Sequence, residues 1–381
     1  MTFPLEIPPE LRATVAPGTG VLLALSGGVD SSVALAVLRH LGADVTAVTF
    51  KNFCYGDAET AAGPAALARS CCSLEAIADA RRVAARLGAP HWVADVSDLF
   101  GREVIAPFVS EYAAGRTPNP CQACNARVRF PELVRLADRL GCALVATGHY
   151  ARCVREDGGV RLRRGLDPAK DQAYFLYGVG RELLPRVVFP LGWSAKAQVR
   201  AAAAALGLPV AAKRESQEIC FVPENDRAFL FAPAQAEPGD IVDRQGRVLG
   251  RHRGLVHYTV GQRRGLGVAA AEPLYVLALE PERNRLVVGP ACELGALRVA
   301  CDRFVAAVDD LPPAGPPPAD GPWLARIRHR HAGAPVTGWR IEGERLAVEL
   351  AAPARGVAPG QALVLYRDDL VLGGGRIVAA A

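Results

Sequence analysis

Long apolar runs are missing from this chain of 381 residues, although half of its residues are hydrophobic. A helix that crosses a membrane needs roughly 18 or more consecutive apolar residues, and no segment approaches that length. The N-terminal stretch MTFPLEIPPELRATVAPGTG also lacks the basic segment and apolar run of a secretory signal. The sequence therefore predicts a cytoplasmic protein that makes no contact with a membrane.

Lysine is nearly absent as well, and arginine replaces it almost everywhere. This bias, like alanine runs such as AAAAAL, is typical of a genome rich in G and C. The net charge of +5 by itself indicates no class of partner. Local clusters of arginine are therefore more informative than the total. The lysines are Lys51, Lys170, Lys196 and Lys213.

The first half of the chain alternates apolar strands with amphipathic helices. The predicted strands are GVLLAL, DVTAVTF, PHWVADV and CALVATGH, and the predicted helices are DSSVALAVLRHLG, SLEAIADARRVAARLGA and ELVRLADRLG. Strand–helix alternation predicts an α/β fold, a Rossmann-like parallel sheet with helices on both faces.

The second half has a different pattern. PLYVLALEPERNRLVVG predicts a hairpin, and LPPAGPPPADGP, residues 311–322, predicts an exposed spacer. The short alternating strands that follow are typical of a small β-barrel or sandwich. We therefore expect a catalytic α/β domain over 1–222, a small central domain over 223–295 and a C-terminal β-barrel domain over 296–381.

SGGVDSS, residues 26–32, follows a buried strand and opens a helix. Glycines allow the backbone to approach a ligand, and the helix start favours a phosphate. The loop matches neither GxxxxGK[ST] nor GxGxxG. It resembles the loop of ATP pyrophosphatases, which cleave between the α- and β-phosphates. Asp30 is the candidate Mg²⁺ ligand, and Phe50 and Gly148 are candidates to border the adenosine, although core packing explains Phe50 equally well.

The ten cysteines are expected to be reduced thiols, because the chain is long and not secreted. Most lie in apolar or loop contexts, where a small buried hydrophobe is the default. These are Cys54, Cys71, Cys72, Cys142, Cys153, Cys292 and Cys301.

Cys121 and Cys124 stand in PNPCQACN, a rigid turn that opens into a helix. A CxxC pair suits a zinc half-site, a redox pair, a cluster ligand or a nucleophile. Zinc needs a second pair, and the adjacent cysteines of RSCCS have poor geometry for it. The helix start favours a reactive thiol. Cys220, in ESQEICFVP, lies where the α/β domain is predicted to end.

An ordered set of motifs covers the chain from residue 20 to the C-terminus: SGGVDSS, GRTPNPCQACN, ATGHYA, GLDPAKDQAYFLY, SQEICFVP, HYTVGQRRGLG, PGQALVLY and LGGGRI. In this order they resemble the bacterial tRNA-uridine 2-sulfurtransferases (2-thiouridylases), which belong to the PP-loop ATP pyrophosphatases with an adenine nucleotide α-hydrolase-like fold. The resemblance implies an enzyme that places sulfur on the wobble uridine of tRNA, with ATP and Mg²⁺. A monomer is expected.

The resemblance also implies roles for individual residues. Cys220 matches the cysteine that carries a persulfide from a sulfur-relay protein or a cysteine desulfurase, and Cys124 matches the partner that can close a disulfide with it. The nucleotide-binding positions are Ala24, Leu25, Ser26, Gly27, Gly28, Val29, Asp30, Ser31, Phe50 and Gly148. Positions beside the target base are Asn119, Pro120 and Cys121, and further tRNA contacts are His149, Lys170, Asp171, Gln172, Arg328, His329 and Gln361.

The chemistry of these residues is consistent with that reaction. The C2 oxygen of uridine is a poor leaving group and AMP is a good one, while a persulfide is an effective sulfur nucleophile. A neighbouring thiol can release the sulfur by exchange. The target base must also leave its stack.

Two arginine-rich stretches predict RNA contact. Residues 244–267 contain six arginines and no acid. ARIRHRH is expected to place Arg326, Arg328 and Arg330 on one side of a strand, with His329 and His331 on the other. Such basic faces follow phosphates.

The chain departs from the family pattern in two places. Cys121 replaces an Asp to which the family assigns acid–base work. It is either a neutral replacement or, with Cys124 and Cys220, a ligand of a 4Fe–4S cluster with one open iron. Residues 52–73, NFCYGDAETAAGPAALARSCCS, also differ from the family pattern.

Two other functions compete with thiolation. Another AMP-forming ligase would use the same loop, but it needs neither the cysteine set nor a basic β domain. A non-enzymatic RNA-binding metalloprotein would not need the intact SGGVDSS loop.

Overall fold

The computed structural model describes residues 3–53, 74–156, 158–214, 219–222, 230–231, 237–317 and 321–381. The chain forms two compact units. The first comprises residues 1–103, 121–225 and 369–371, and the second comprises 104–120, 226–368 and 372–381. Cys54, Cys71 and Cys72 lie outside the described residues.

The helices and strands are as follows. The α-helices are α1 (Pro9–Thr14), α2 (Val29–His40), α3 (Leu74–Arg86), α4 (Ser97–Phe100), α5 (Ala106–Ala113), α6 (Pro120–Cys124), α7 (Phe130–Leu140) and α8 (Lys196–Ala205), with π-helical turns at Gly101–Ile105 and Asn125–Arg129. The 3-10 turns are Ala173–Phe175, Leu184–Arg186, Leu255–His257, Pro281–Arg283 and Ala291–Leu294. The strands of the first half are β1 (Gly20–Ala24), β2 (Asp44–Lys51), β3 (His91–Asp95), β4 (Leu144–Ala146), β5 (Ala151–Glu156), β6 (Gly159–Arg164) and β7 (Val187–Val188). The later strands are β8 (Gly239–Val242), β9 (Val248–His252), β10 (Leu274–Glu280), β11 (Arg285–Pro290), β12 (Gly295–Ala306), β13 (Ala314–Gly315), β14 (Trp323–Arg326), β15 (Ala334–Glu342), β16 (Arg345–Arg355), β17 (Ala362–Arg367) and β18 (Leu370–Ala380).

The first unit is built on a parallel sheet with the strand order β3-β2-β1-β4-β7. Val21, Leu22 and Leu23 of β1 are fully buried, as a central parallel strand requires. The strand order changes direction beside β1, and ligands of open α/β sheets bind at such points, beyond the carboxyl ends of the strands. The predicted parallel sheet is confirmed.

Packing against this sheet explains why α2, the helix predicted over DSSVALAVLRHLG, forms where it does. The apolar side of α2, with Val33 and Val37, packs in one cluster with Val199 and Ala202 of α8. Gly28 is the N-cap of α2, and Asp30 lies in its first turn, where a negative charge is favourable. The helix therefore points its N-terminus at the end of β1.

The second unit contains a four-stranded sheet with the order β10-β11-β8-β9. Its β10–β11 pair is the predicted antiparallel hairpin, and β8 runs parallel to β11. Ile241, Val276, Leu286 and Val288 fill the core of this sheet. The change of pattern in the second half of the sequence thus corresponds to a separate β core.

The remaining strands form a barrel in the order β12-β16-β15-β14-β17-β18, closed by pairing of β12 with β18. Buried and exposed residues alternate along β16, as they do in a strand with one face in a barrel core. Trp323 and Trp339 stack inside it, with ring centroids 4.2 Å apart. The predicted C-terminal β-barrel is confirmed.

The proline-rich stretch is not a free spacer in its described part. Ala314 and Gly315 form β13 and pair with β15, and Pro312 O accepts a hydrogen bond of 2.9 Å from Trp339 Nε1. The predicted exposure is confirmed, since Pro312, Pro313, Ala314 and Pro316 are exposed, but this part of the loop is hydrogen-bonded to the barrel because proline still offers a carbonyl acceptor.

Candidate active site

The glycine turn lies at the carboxyl end of β1, in the first unit. Gly27 has a φ of +70°, and a Cβ there would come within 2.2 Å of Ala76 O in α3. The turn therefore requires glycine for both conformation and space. It delivers the chain into the N-terminus of α2, where free N–H groups favour an anion.

Serine hydroxyls hold the turn in shape. Ser31 Oγ donates to Gly28 O at 3.2 Å and accepts from Ser26 N at 3.1 Å. Ser32 Oγ donates to the same carbonyl at 2.7 Å. The motif SGGVDSS thus supplies its own internal hydrogen bonds, and the loop is organised before any ligand binds.

Asp30 is surrounded by groups that the sequence analysis missed. Its carboxylate accepts hydrogen bonds from Lys196 Nζ at 2.6 and 2.7 Å and from Tyr150 Oη at 2.8 Å. The side chain of Asp30 keeps 34% of its surface exposed, whereas that of Lys196 keeps 10%. Asp30 is therefore held in place but still accessible to a ligand.

A second lysine lies on the glycine turn itself. Lys213 Nζ donates to Gly27 O at 3.3 Å and pairs with Asp79 at 2.5 Å. Two of the chain's rare lysines, Lys196 and Lys213, thus lie at SGGVDSS, residues 26–32, the predicted phosphate loop. Since the sequence has only four lysines, their rarity was the one signal that could have marked these two as candidate site residues.

Phe50 and Gly148 lie at strand ends, as predicted. Phe50 is buried, with 8% of its surface exposed, in the β2–β3 pair. Gly148 packs on the first turn of α2, where a Cβ would come within 2.8 Å of Ser31 N. Both positions fit a packing role, and their contact with a nucleotide stays a prediction.

The cysteine motif forms α6 and continues through a π-helical turn into α7. Pro120 occupies the first helical position, which suits its fixed φ. Cys121 is exposed and Cys124 is buried. Asn125 is also buried; it donates to Phe175 O at 3.2 Å and accepts from Arg129 at 2.9 Å, so the turn after Cys124 is fixed by side-chain hydrogen bonds.

Cys220 belongs to a short described segment, residues 219–222, in the same unit. Its neighbour Phe221 is buried and packs edge-on against Phe100, with centroids 5.6 Å apart. Cys220 itself is half-buried and, like Cys121 and Cys124, a reduced thiol. Among the described residues, no group of three or more His, Cys, Asp or Glu side chains has a metal-holding arrangement. The 4Fe–4S cluster therefore stays a prediction, without support from the arrangement of the described side chains.

Of the other described cysteines, Cys142 and Cys301 are buried as predicted, whereas Cys153 is half-buried. Loss of hydration raises the pKa of Cys153 and of Cys301 to about 12 and also raises that of Cys142, so these remain thiols. Cys292 differs, because it is exposed rather than buried.

The loop that contains the predicted RNA contacts Lys170, Asp171 and Gln172 is built around Asp171. The carboxylate of Asp171 is 1% exposed and accepts from Gly165 N, Ala173 N and Arg164 Nε, each at 3.1 Å. These contacts favour a structural role for Asp171 over a side-chain contact with RNA.

The same loop is tied to the phosphate loop. Gln172 Oε1 accepts from Tyr150 N at 2.9 Å, and Tyr150 in turn donates to Asp30. Asp167 Oδ2 accepts from the backbone N of Lys196, at the start of α8, at 2.9 Å. Two hydrogen-bond routes thus connect the predicted RNA loop with Asp30.

His149 is neutral at physiological pH. Burial, with a smaller effect of Arg129, lowers the pKa of His149 to about 3. Its Nδ1 lies 2.7 Å from Thr147 Oγ1, and its ring packs near Phe130 and Phe189. A role for His149 toward tRNA is therefore one of shape or hydrogen bonding and not of charge.

In the second unit, the predicted arginine face does not form as expected. Strand β14 ends at Arg326, which is buried and donates from Nε to His331 O at 2.9 Å. Arg328 and Arg330 follow in a turn and are exposed, and His329 is half-buried. The prediction for Arg326 is wrong, because its guanidinium satisfies carbonyls of that turn.

The arginine-rich stretch over residues 244–267 is partly neutralised by acids from outside it. Arg247 pairs with Asp243 at 2.6 Å, Arg251 lies 3.7 Å from Asp240, and Arg244 pairs with Glu293. The stretch itself contains no acid. Asp240 and Asp243 come from β8 and the turn after it, and Glu293 comes from the 3-10 turn after β11.

A cavity of about 540 Å³ lies within the second unit. Arg328, Arg355, Gln361, Thr259 and Tyr275 are among its lining residues. Two arginines and several amide and hydroxyl groups suit an RNA backbone or base. The structure thus groups Arg328 and Gln361, which are far apart in sequence.

Curated relatives match this chain over nearly its whole length. A protein of Rhizorhabdus wittichii is 48% identical over 367 residues, which cover 95% of this chain and 92% of the relative. One of Rhodospirillum rubrum is 45% identical over 389 residues, 99% of each chain, and one of Heliobacterium modesticaldum is 45% identical over 367 residues, 94% and 92%. Each is named tRNA-specific 2-thiouridylase MnmA.

The chain belongs to the tRNA-specific 2-thiouridylase family.

Family models add the domain types. Residues 19–224 match the tRNA methyl transferase HUP domain, 227–290 the tRNA methyl transferase PRC-barrel domain, and 313–377 the aminomethyltransferase beta-barrel domain. The parallel sheet and the four-stranded sheet of this 2-thiouridylase family member fall in the first two ranges. The third covers most of the closed barrel, but not β12, which lies before it.

Solved structures show more distant likenesses. NMN synthetase from Francisella tularensis is 19% identical with a TM-score of 0.32, covering 52% of this chain and 67% of that chain. A 4-thiouridine synthetase–RNA complex with bound ATP is 17% identical with a TM-score of 0.31, covering 53% and 45%. Likenesses at this level do not bear on function. Among the described helices, none is long and apolar enough to cross a membrane.

Proposed function

We propose that the protein is a tRNA-uridine 2-sulfurtransferase that thiolates the wobble uridine of tRNA at the expense of ATP. The observation that carries the proposal is the organised phosphate loop at the end of β1, in a chain 48% identical over 367 residues to a relative named for this activity. The first unit also contains Cys124 and Cys220, which an AMP-forming amide ligase does not need.

ATP activates the base in the first step. The uridine O2 attacks the α-phosphorus, pyrophosphate leaves, and the N3 proton is released as the C2–O–AMP bond forms. The N-terminus of α2 and the ammonium groups of Lys196 and Lys213 lie where phosphate charge is to be stabilised. Phe50 and Gly148 are proposed to border the adenosine.

Mg²⁺ would neutralise the phosphates and strengthen the leaving group. A magnesium ion at an ATP site needs only one or two carboxylates beside phosphate oxygens and water. Asp30 fits this role, since its side chain is one-third exposed at the start of α2. Lys196 then has to give up one of its two contacts with that carboxylate.

Sulfur replaces AMP in the second step. The terminal sulfur of a Cys220 persulfide attacks C2, AMP leaves, and the base stays linked to Cys220 through a disulfide. The Cys124 thiolate then attacks Cys220 Sγ, so that 2-thiouridine is released and a Cys124–Cys220 disulfide remains. A thiol reductant restores both thiols, which are reduced in this structure.

The partners follow from this reaction. We propose tRNA as substrate and a sulfur-relay protein or cysteine desulfurase as sulfur donor, with the enzyme acting as a cytoplasmic monomer. Asn119, Pro120 and Cys121 contact the target base, and His149, Lys170, Gln172, Arg328 and His329 contact the rest of the tRNA. The domain limits at residues 222 and 295 stay a prediction.

Radiolabelled sulfur tests the proposal. With ATP, tRNA, cysteine and a desulfurase, the protein is expected to label tRNA, and Cys220→Ser is expected to abolish labelling while still adenylating the base. Cys142→Ser, which changes a buried thiol, is the control. Full activity of Cys220→Ser would contradict the assignment of the sulfur carrier.

A substitution of Cys121 distinguishes the persulfide mechanism from the cluster mechanism. Cys121→Asp is expected to retain labelling and to contain no iron or sulfide after anaerobic purification, because the persulfide route needs two thiols. Loss of labelling together with loss of bound iron would favour the cluster instead.

A further inference from the structure

The target-base segment, residues 116–120, immediately precedes the cysteine motif. It contains Asn119 and Pro120, the positions expected beside the target uridine. These residues belong to the same compact unit as the C-terminal barrel. Contacts within that unit therefore show what holds the segment in place.

Thr117 is the anchored residue of the target-base segment, and each of its polar groups is engaged. Its N–H donates to Pro359 O at 2.7 Å, and its carbonyl accepts from Gln361 Nε2 at 2.8 Å. Its hydroxyl donates to Thr259 Oγ1 at 3.4 Å. Thr117 is 9% exposed, so water competes little for these contacts.

The backbone at Gly360 makes this approach possible. Gly360 has a φ of +91°, and a Cβ there would lie 2.8 Å from Thr117 N and 2.9 Å from Thr117 C. Any side chain would push the target-base segment away from the barrel. The close contact is thus encoded in PGQ, residues 359–361, within a motif already recognised in the sequence.

The loop that holds Thr117 is itself fixed to the barrel. Gly360 N donates to Ile377 O and Ile377 N donates to Gln361 O, both at 2.8 Å, on β18. On the other side, Arg116 pairs with Glu111 at 2.6 Å, and Arg376 of β18 contacts the same carboxylate. The target-base segment is therefore anchored at two successive residues.

We propose that Gln361 is a positioning residue, which fixes the target-base segment by donating its amide hydrogen to Thr117. Pro118 and Pro120 restrict the chain, so that the position of Thr117 determines that of Asn119. Gln361 and Thr259 also line the cavity that contains Arg328. The contact that holds the target-base segment therefore lies beside the cavity in which Arg328 is proposed to contact RNA. The inference rests on the proposed function, because it assigns the segment to the target base.

Two variants test this role in the full-length protein. Gln361→Met keeps the size of the side chain but removes the donor, and Gly360→Ala displaces Thr117 without removing a polar group. Both are expected to lower kcat for thiolation about 10- to 100-fold, as small misplacements of reacting groups do. The Kd for tRNA is expected to stay within about threefold, because the lost interaction acts on the chemical step. Arg340→Gln, which removes an exposed ion pair with Glu342 in the same unit, is the control and is expected to leave both kcat and Kd unchanged.

Hydrogen exchange gives a measurement that does not depend on turnover. In Gln361→Met the amide of Thr117 is expected to exchange faster, while amides of β17 keep their protection. If the wild type labels no tRNA, the proposed function fails, and the exchange of Thr117 still decides this inference. If Gly360→Ala is misfolded by circular dichroism, Gln361→Met and Thr259→Val decide it. A raised Kd with unchanged kcat and an unchanged Thr117 amide in Gln361→Met would show a direct RNA contact and overturn the positioning role.

Discussion

At the scale of residues, the phosphate loop is defined by paired charges. Asp30 pairs with Lys196, and Asp79 pairs with Lys213, which also contacts Gly27 O. In each pair a lysine lies close to the N-terminus of α2. An ammonium shares its hydrogen bonds easily between a carboxylate and a phosphate, since it has three donors.

Lys213→Gln tests this arrangement. It is expected to raise the KM for ATP about tenfold, because a hydrogen bond to a charged group contributes about 1.5 kcal/mol or more. The measurement is pyrophosphate release at saturating tRNA. Arg135→Gln, which removes an ion pair with Glu132 on the surface of α7, is the control. Equal effects of the two variants would contradict a specific role for Lys213.

At the scale of elements, the loop of residues 165–172 depends on one buried carboxylate. Asp171 accepts two backbone N–H groups and Arg164, and Gln172 next to it holds Tyr150. Because these hydrogen bonds join the two ends of the loop, they also fix the backbone position of Lys170. The hydrogen bonds of Asp171 and Gln172 therefore hold the conformation of this loop.

Asp171→Ala is expected to destabilise the protein by about 3 kcal/mol, since it leaves two buried N–H groups and a guanidinium without their acceptor. Chemical denaturation measures this loss. Asp138→Ala removes an ion pair with Arg186 whose carboxylate is 60% exposed, and about 1 kcal/mol or less is expected there. If both variants lose the same free energy of unfolding, the loop of residues 165–172 does not depend on Asp171.

At the scale of the whole molecule, the distribution of exposed arginines is expected to determine RNA affinity more than the net charge does. Arg326 is buried, and Arg244, Arg247 and Arg251 have acidic partners. Arg328 and Arg330 are exposed beyond the end of β14. RNA affinity is therefore expected to depend on a few arginines of the barrel.

The salt dependence of tRNA binding tests this expectation. Arg328→Gln and Arg330→Gln are each expected to reduce the slope of log Kd against log salt by about 1, the loss of one phosphate contact. Arg247→Gln is expected to leave the slope nearly unchanged, since Asp243 already pairs with that arginine. A larger change for Arg247 than for Arg328 would contradict the assignment.

The sequence by itself determined the parallel sheet, the hairpin of β10 and β11, the barrel and the phosphate loop. Each follows from local pattern: apolar runs, turn residues, and glycines that precede a helix start. It also identified the family, because the ordered motifs cover the chain. Only the tertiary structure decided which groups surround those motifs. Lys196, Lys213 and Gln361 meet Asp30, Gly27 and Thr117 across more than a hundred residues of chain. Such contacts depend on how strands and loops pack, and no local pattern encodes them. The same packing buries Arg326 and brings acidic side chains to the arginine-rich stretch.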